Sequence, residues 1–242
     1  MQQYISVKKL EKKYPDFMVR DLSFFVEEHS ITGFLGINGS GKTTTLKMLL
    51  GLVKPDMGEI TILGQKQDGM ARHNVNKHIG VVLDKSMFYE HLNAKQIMQI
   101  YKRAYDNWDS SLYQAYLQKF ALPENRLIGT FSKGMKVKLS LILALSHNPS
   151  ILLMDEPTSG LDPLIRTQFV SMLAEWVKQG NRCVLFSTHI ISDIEHVADH
   201  IIILHNGQII LDDTMEHLKK SKAISSDCGL EQFMLKQIGD VR

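Results

Sequence analysis

One stretch constrains this chain more than any other. Gly36-Ile37-Asn38-Gly39-Ser40-Gly41-Lys42-Thr43 fits the pattern G-x-x-x-x-G-K-[ST]. The pattern requires a strand before it and a helix after it, and both are legible. Ser30 to Leu35 is short and largely apolar, and Lys42 to Leu50 reads as a helix stopped by Gly51 and Pro55. Glycines here let backbone N–H groups turn inward around phosphate oxygens, and the helix N-terminus adds its partial positive charge. Lys42 can then reach the outer phosphates of a nucleotide, and the Thr43 hydroxyl can ligate Mg²⁺. Gly36, Ile37, Asn38, Gly39, Ser40, Gly41 and Thr44 complete the cradle. A plain glycine-rich turn at a strand end would need far fewer of these constraints.

A phosphate loop of this kind belongs to an α/β sheet, and the rest of the chain supplies one. Tyr4 to Leu10, Leu22 to Val26 and Gly58 to Gly64 read as strands. Residues 93–148 turn helical. Asn93 with Gln96 forms a capping box before Ile97, Ile100, Tyr101 and Ala104, and a third helix is expected over Lys133 to Ser146. The last third returns to alternation. Ile151 to Met154 is a buried strand, Asp162-Pro163 opens a helix that ends at Gly180, and Cys183 to Phe186 is the next strand. Ser192 and Glu195 form a second candidate capping box. Asn206-Gly207 between Ile201–Leu204 and Gln208–Leu211 is a strong hairpin signal. The expected fold is α/β, a mixed sheet with flanking helices, plus an antiparallel β subdomain and a helical insertion. It forms one domain over 1–242: core and β subdomain in 1–92 and 149–220, helices in 93–148, and a helical tail in 221–242.

Two carboxylates follow the strand Ile151 to Met154. Ligands of open α/β sheets bind at the carboxyl ends of strands, so Asp155 and Glu156 are well placed for chemistry. Asp155 is placed to hold Mg²⁺. Glu156 precedes Pro157, which biases it away from helical backbone and keeps it at the strand tip. From there it can polarise a water for attack on a γ-phosphate. Two acids after a strand would ordinarily be a cap and a solvated charge; the phosphate loop reverses that reading.

Composition limits the classes. With 28 Lys+Arg against 26 Asp+Glu the net charge is +2, which argues against a strongly basic nucleic-acid binder. At 44% hydrophobic and 22% charged the chain is globular in composition. Cys183 and Cys228 form no CxxC pair and no disulfide framework. No signal-peptide pattern and no apolar run long enough for a membrane span occurs, so work at a membrane is expected to run through a partner.

Further motifs, in order, resemble the ATP-binding cassette superfamily of P-loop NTPases over essentially the whole chain. Phe131-Ser132-Lys133-Gly134-Met135 resembles the family signature, Leu-Ser-Gly-Gly-Gln, and Ser132 lies 23 residues before Asp155. Ser159-Gly160-Leu161-Asp162 resembles the D-loop, Ser187-Thr188-His189 the switch histidine, and Tyr14 the aromatic that stacks on adenine. The resemblance implies an ATPase in which Lys42, Glu156 and His189 are catalytic. It further implies that Ser132, Gly134 and Asp162 meet a nucleotide held by a second ATP-binding subunit, in a homodimer or heterodimer. The position of the family's glutamine loop is held by Asp84, a candidate Mg²⁺ ligand with Thr43 and Asp155, and Lys133 and Met135 depart from the signature. Ser-Lys-Gly-Met, and Tyr105-Asp106-Asn107-Trp108 ahead of the second helix, are similar to small Gram-positive exporter cassettes that pair with separate integral membrane subunits. The implied role is an exporter of peptides, antimicrobials or hydrophobic compounds, peripheral on the cytoplasmic side of the membrane, with ATP and Mg²⁺ and no nucleic acid. Met87-Phe88-Tyr89 would be a socket for the membrane subunit or ordinary packing under the helices. A soluble cassette of translation would carry two motif sets, and a DNA-repair type would insert long coiled coils between Lys42 and Asp155, which here are only 113 positions apart. Glu156 and His189 argue against a non-hydrolysing regulatory cassette.

Overall fold

The chain opens as a hairpin: β1 (Gln3–Lys13) pairs antiparallel with β2 (Met18–Glu27). Both strands run past their apolar stretches, because bulges let polar ends stay in the ladder. β3 (Ile31–Leu35) is buried throughout and leads through the glycine loop into α1 (Lys42–Leu49). β4 (Met57–Ile62), β5 (Gln65–Lys66), α2 (Ala71–Asn76) and β6 (Ile79–Leu83) follow. α3 (Ala94–Ala104), α4 (Ser110–Lys119) and α5 (Lys133–Leu145) form the helical middle. Then come β7 (Ile151–Asp155), α6 (Pro163–Lys178), β8 (Cys183–Thr188), the hairpin β9 (His200–His205) and β10 (Gln208–Thr214), α7 (Met215–Lys220) and α8 (Leu230–Asp240). This computed structural model describes residues 2–68, 71–83, 88–221, 224 and 229–240.

Two sheets result. A four-stranded antiparallel sheet has the order β2-β1-β4-β5, and a six-stranded sheet the order β10-β9-β3-β8-β7-β6. In the second, β9, β3, β8, β7 and β6 run parallel and β10 alone is antiparallel. The registers Leu35 with Thr188 and Asp155 with Ser187 bring the carboxyl ends of β3, β7 and β8 to one edge. That edge is the ligand side of such sheets.

Burial explains why the central strands read as unbroken apolar runs. Leu152 and Met154 of β7 pack with Phe169, Leu173 and Trp176 of α6, while Ile151 and Leu153 face Leu46, Met48 and the antiparallel sheet. A strand covered on both faces loses its alternation. The helical middle has its own core around Tyr113, which is fully buried and donates its hydroxyl to the Ala94 carbonyl at 3.3 Å.

Local signals are realised unevenly. Both bonds of the Asn93–Gln96 capping box form, each at 2.9 Å. The Ser192–Glu195 box does not. Ile191–Asp193 is a single 3₁₀ turn, because Ile191 and Ile194 both enter the core, and the Glu195 Oε1 instead accepts from the Leu230 N–H at 2.8 Å, holding the start of α8. The helix expected to reach Gly180 ends at Lys178. Burial raises the Cys183 thiol pKa, leaving an inert core sulfur. Asp84, Met87 and Cys228 lie outside the described residues.

Candidate active site

β3 ends in a loop whose backbone only glycine adopts easily, with φ of 82° at Gly39 and 114° at Gly41. Gly41 sits directly before α1, which has no side-chain cap and no acidic residue in its first turn. Its first N–H groups therefore lack helical partners, and no acidic side chain of the helix's own first turn competes for them. Phe17, Asn38, Gly39, Ser40, Gly41, Lys42, Thr43, Thr44 and Glu156 line a cavity of about 310 Å³ there, large enough to take a small ligand or part of one. The β9–β10 turn braces the loop from behind. The Gly207 N–H donates to the Ser40 carbonyl at 2.9 Å, and the Gly207 carbonyl accepts from the Arg20 N–H at 2.8 Å. A Cβ on Gly207 would stand 1.9 Å from the Met18 carbonyl oxygen, so that turn requires glycine for space as well as for its φ of 77°.

Lys42 is a buried charge, 5% exposed, and three oxygens hold it. Its Nζ donates to the carbonyls of Gly36 at 2.7 Å and Ile37 at 3.2 Å, and lies 3.3 Å from Glu156 Oε1. A buried ammonium is tolerated only with such partners. Glu156 reaches it through an unexpected backbone. Its φ is 49°, in the left-handed region and outside the right-handed helical one. Pro157 disfavours the right-handed helical region only, and the left-handed one costs about 1–3 kcal/mol. The Glu156 N–H still donates to the Ser187 carbonyl at 2.9 Å, so strand pairing over-determines the turn. Glu156 Oε2 lies 2.7 Å from His189 Nδ1 and accepts from the His189 N–H at 3.3 Å. An ionised carboxylate cannot donate, so Nδ1 carries the proton of the shorter bond.

Asp155 lies beneath. Its Oδ1 accepts from Thr43 Oγ1 and from Ser187 Oγ, both at 3.2 Å. Burial raises the Asp155 carboxyl pKa, and these hydrogen bonds oppose the shift only in part. A hydroxyl beside a carboxylate is an oxygen donor pair suited to Mg²⁺, which keeps several of its waters. The residues present therefore fit that ion.

Other expected site residues sit elsewhere. Tyr14 lies in the β1–β2 turn, 38% exposed, with Lys12 Nζ 6.0 Å from its ring centre, and it does not line the cavity. Phe17, which the sequence reading missed, does; it carries no periodicity to mark it. Ser132 caps α5 by accepting from the Met135 N–H at 3.2 Å, and Asp162 caps α6 by accepting from the Ile165 N–H at 3.0 Å. Gly134 is buried so tightly that a Cβ would meet Ile165 at 3.2 Å. None of Ser132, Gly134 and Asp162 lines the cavity of their own chain. Phe88 packs against the core of the helical middle, whereas Tyr89 is exposed beside His91.

The profile of the ABC transporter family matches residues 19–159. The bacitracin transport ATP-binding protein BcrA of Bacillus licheniformis is 36% identical over 204 residues, covering 84% of this chain and 66% of that protein. The chain thus spans just under two thirds of that relative's length. The Nod factor export ATP-binding protein I of Burkholderia orbicola (strain AU 1054) is 34% identical over 225 residues, covering 90% of this chain and 73% of that one. A solved structure of an ATP binding subunit of an ABC transporter superposes with a TM-score of 0.86 at 28% identity, over 97% of this chain and 99% of that one. Sequence motifs, sheet order and these likenesses agree: the chain belongs to the ABC transporter family, as an ATPase of the ATP-binding cassette type.

Proposed function

We propose that the chain is the nucleotide-binding subunit of an exporter of peptides, antimicrobials or hydrophobic compounds, driving a separate integral membrane subunit from the cytoplasmic face. The observation that carries the catalytic part is the Glu156 carboxylate, held between Lys42 at 3.3 Å and His189 at 2.7 Å at the mouth of the phosphate loop. The loop N–H groups and Lys42 would bind and orient the phosphates of ATP. Glu156 would then accept a proton from the attacking water, with His189 fixing the carboxylate through its Nδ1–H. Thr43 and Asp155 would hold Mg²⁺, which when bound neutralises phosphate charge.

Ser132, Gly134 and Asp162 lie away from their own chain's cavity, and this supports a dimer in which they close on the partner's nucleotide. Support for export comes from the names of the two relatives, one for bacitracin transport and one for Nod factor export. No helix among the described residues is long and apolar enough to cross a membrane. Glu156→Gln tests the reading. It should bind ATP as the wild type does, hydrolyse none, and accumulate as an ATP-dependent dimer on size exclusion. Normal turnover by that variant would remove Glu156 from catalysis. Detergent extracts should yield an integral membrane protein with the tagged chain, and its consistent absence would overturn the transporter assignment.

A further inference from the structure

Beside the catalytic cluster, and outside it, lies a buried polar junction. Asp193 ends the 3₁₀ turn that follows His189 and is 8% exposed. Its Oδ2 accepts from Thr158 Oγ1 at 2.6 Å, and Thr158 is fully buried. Its Oδ1 lies 3.9 Å from Arg166 Nη1. Arg166, near the start of α6, donates from Nε to the Leu161 carbonyl at 2.9 Å. Three side chains thus tie the loop 158–162 to the segment behind His189. The loop begins two residues after Glu156 and ends at Asp162, the cap of α6.

A buried carboxylate is strongly destabilising unless it is paired, and a packed apolar side chain at the same place is often no worse. Stability alone therefore does not call for Asp193. What the junction does supply is a fixed distance. β7 and β8 are backbone-paired as far as the Glu156 N–H and Ser187 carbonyl, after which the two chains diverge into separate loops. The loops carry Glu156 and His189, whose bond of 2.7 Å tolerates little drift. The Thr158–Asp193 bond spans the same two loops farther on. None of Thr158, Arg166 and Asp193 lines the phosphate cavity.

We propose that Asp193, with Thr158 and Arg166, forms a positioning unit that sets the separation of the loops carrying Glu156 and His189. This rests on the ATPase reading. The unit touches no nucleotide, so it acts on turnover and leaves ATP affinity alone.

The test uses the full chain and four variants, with equilibrium ATP binding and steady-state ATPase measured on each. Thr158→Val removes the hydroxyl at constant shape, Thr158→Ser keeps it, and the double variant Thr158→Val/Asp193→Leu replaces the junction with apolar packing. Glu156→Gln gives the background rate. Small misplacements of reacting groups cost up to about a hundredfold in rate. Thr158→Val and the double variant should lose tenfold or more in kcat, with ATP affinity within about twofold of wild type, while Thr158→Ser turns over normally. The double variant is decisive, because its core is satisfied without the tie. If it recovers wild-type kcat, the junction is structural only and the proposal falls. It falls equally if Thr158→Val keeps full kcat, if Thr158→Ser is as slow as Thr158→Val, or if ATP affinity drops in step with kcat. A wild-type rate no higher than that of Glu156→Gln would instead overturn the ATPase reading, and this inference with it.

Discussion

The helical middle joins the sheet at His147, and its ring should make the protein acid-sensitive above the carboxylate range. His147 is buried two residues beyond α5 and stacks on Tyr105 with ring centroids 4.0 Å apart. Its carbonyl accepts from the Asn107 amide, and its Nδ1 has no hydrogen-bond partner among the described residues. Burial pulls the imidazole from the usual 6.5 down to about 4; the nearby backbone of Lys77 and of His147 itself opposes this only in part, and nearby His78 reinforces it. The unfolded chain takes a proton below pH 6.5 that the folded chain refuses until about pH 4. Stability is therefore intact above 6.5, falls as pH drops through that window, and levels off below it. The whole gap is worth roughly 3 kcal/mol, of which about 2 should be gone near pH 5. With a urea slope of roughly 3 kcal/mol per molar, that is a fall of about 0.7 M in midpoint. His147→Phe keeps a ring against Tyr105 and removes the titration. Urea melts of both proteins between about pH 7 and pH 5 should show the wild-type midpoint falling by that much more than the variant's. Parallel curves would refute the argument, because they would mean that the buried ring accepts its proton in place.

Two further substitutions bear on the site. Lys42→Ala should abolish measurable MgATP binding while leaving the fold intact, since it removes the phosphate-directed charge; wild-type affinity by equilibrium dialysis would sink the phosphate-loop assignment. Phe17→Ala should weaken ATP binding by roughly 1–3 kcal/mol if this ring, which lines the cavity, carries the adenine contact. Tyr14→Ala measured beside it decides between the two aromatics, and a loss confined to Tyr14→Ala would return the contact to the family position.

The parts of the site that were legible in the sequence are those written by adjacent residues. Glycine spacing, the Lys42-Thr43 pair and an apolar run ending in two acids each describe a local backbone and its charge. What escaped is set by contacts distant in the chain. The pre-proline rule removes one backbone region for Glu156 without choosing among the others, and pairing with Ser187 makes the choice. Asn206-Gly207 reads correctly as a hairpin, yet nothing local tells that its glycine must pass within reach of Met18 and support Ser40. Ser192 and Glu195 have the spacing of a cap, but burial of Ile191 and Ile194 outweighs a bond worth about 1 kcal/mol. Glu195 then serves a helix that begins 35 residues later.

The same logic bears on how catalysis is held in check. Among the described residues Glu156 is the one carboxylate lining the phosphate cavity, and both of its oxygens are engaged, one with Lys42 at 3.3 Å and one with His189 at 2.7 Å. Phosphate oxygens entering the loop compete for that same ammonium, and each bond Lys42 gives to phosphate is one less held by Glu156. Oε1, which has no hydrogen bond of its own among the described residues, would then be the atom left to take a proton from an attacking water. Lys42 would therefore serve twice, binding phosphate and releasing the base. The second role needs an acid within ion-pair distance of the loop lysine, and the left-handed turn at Glu156 is what places it there. The strain at that residue would then have a function: it would place the proposed base beside the lysine that meets the substrate's phosphates.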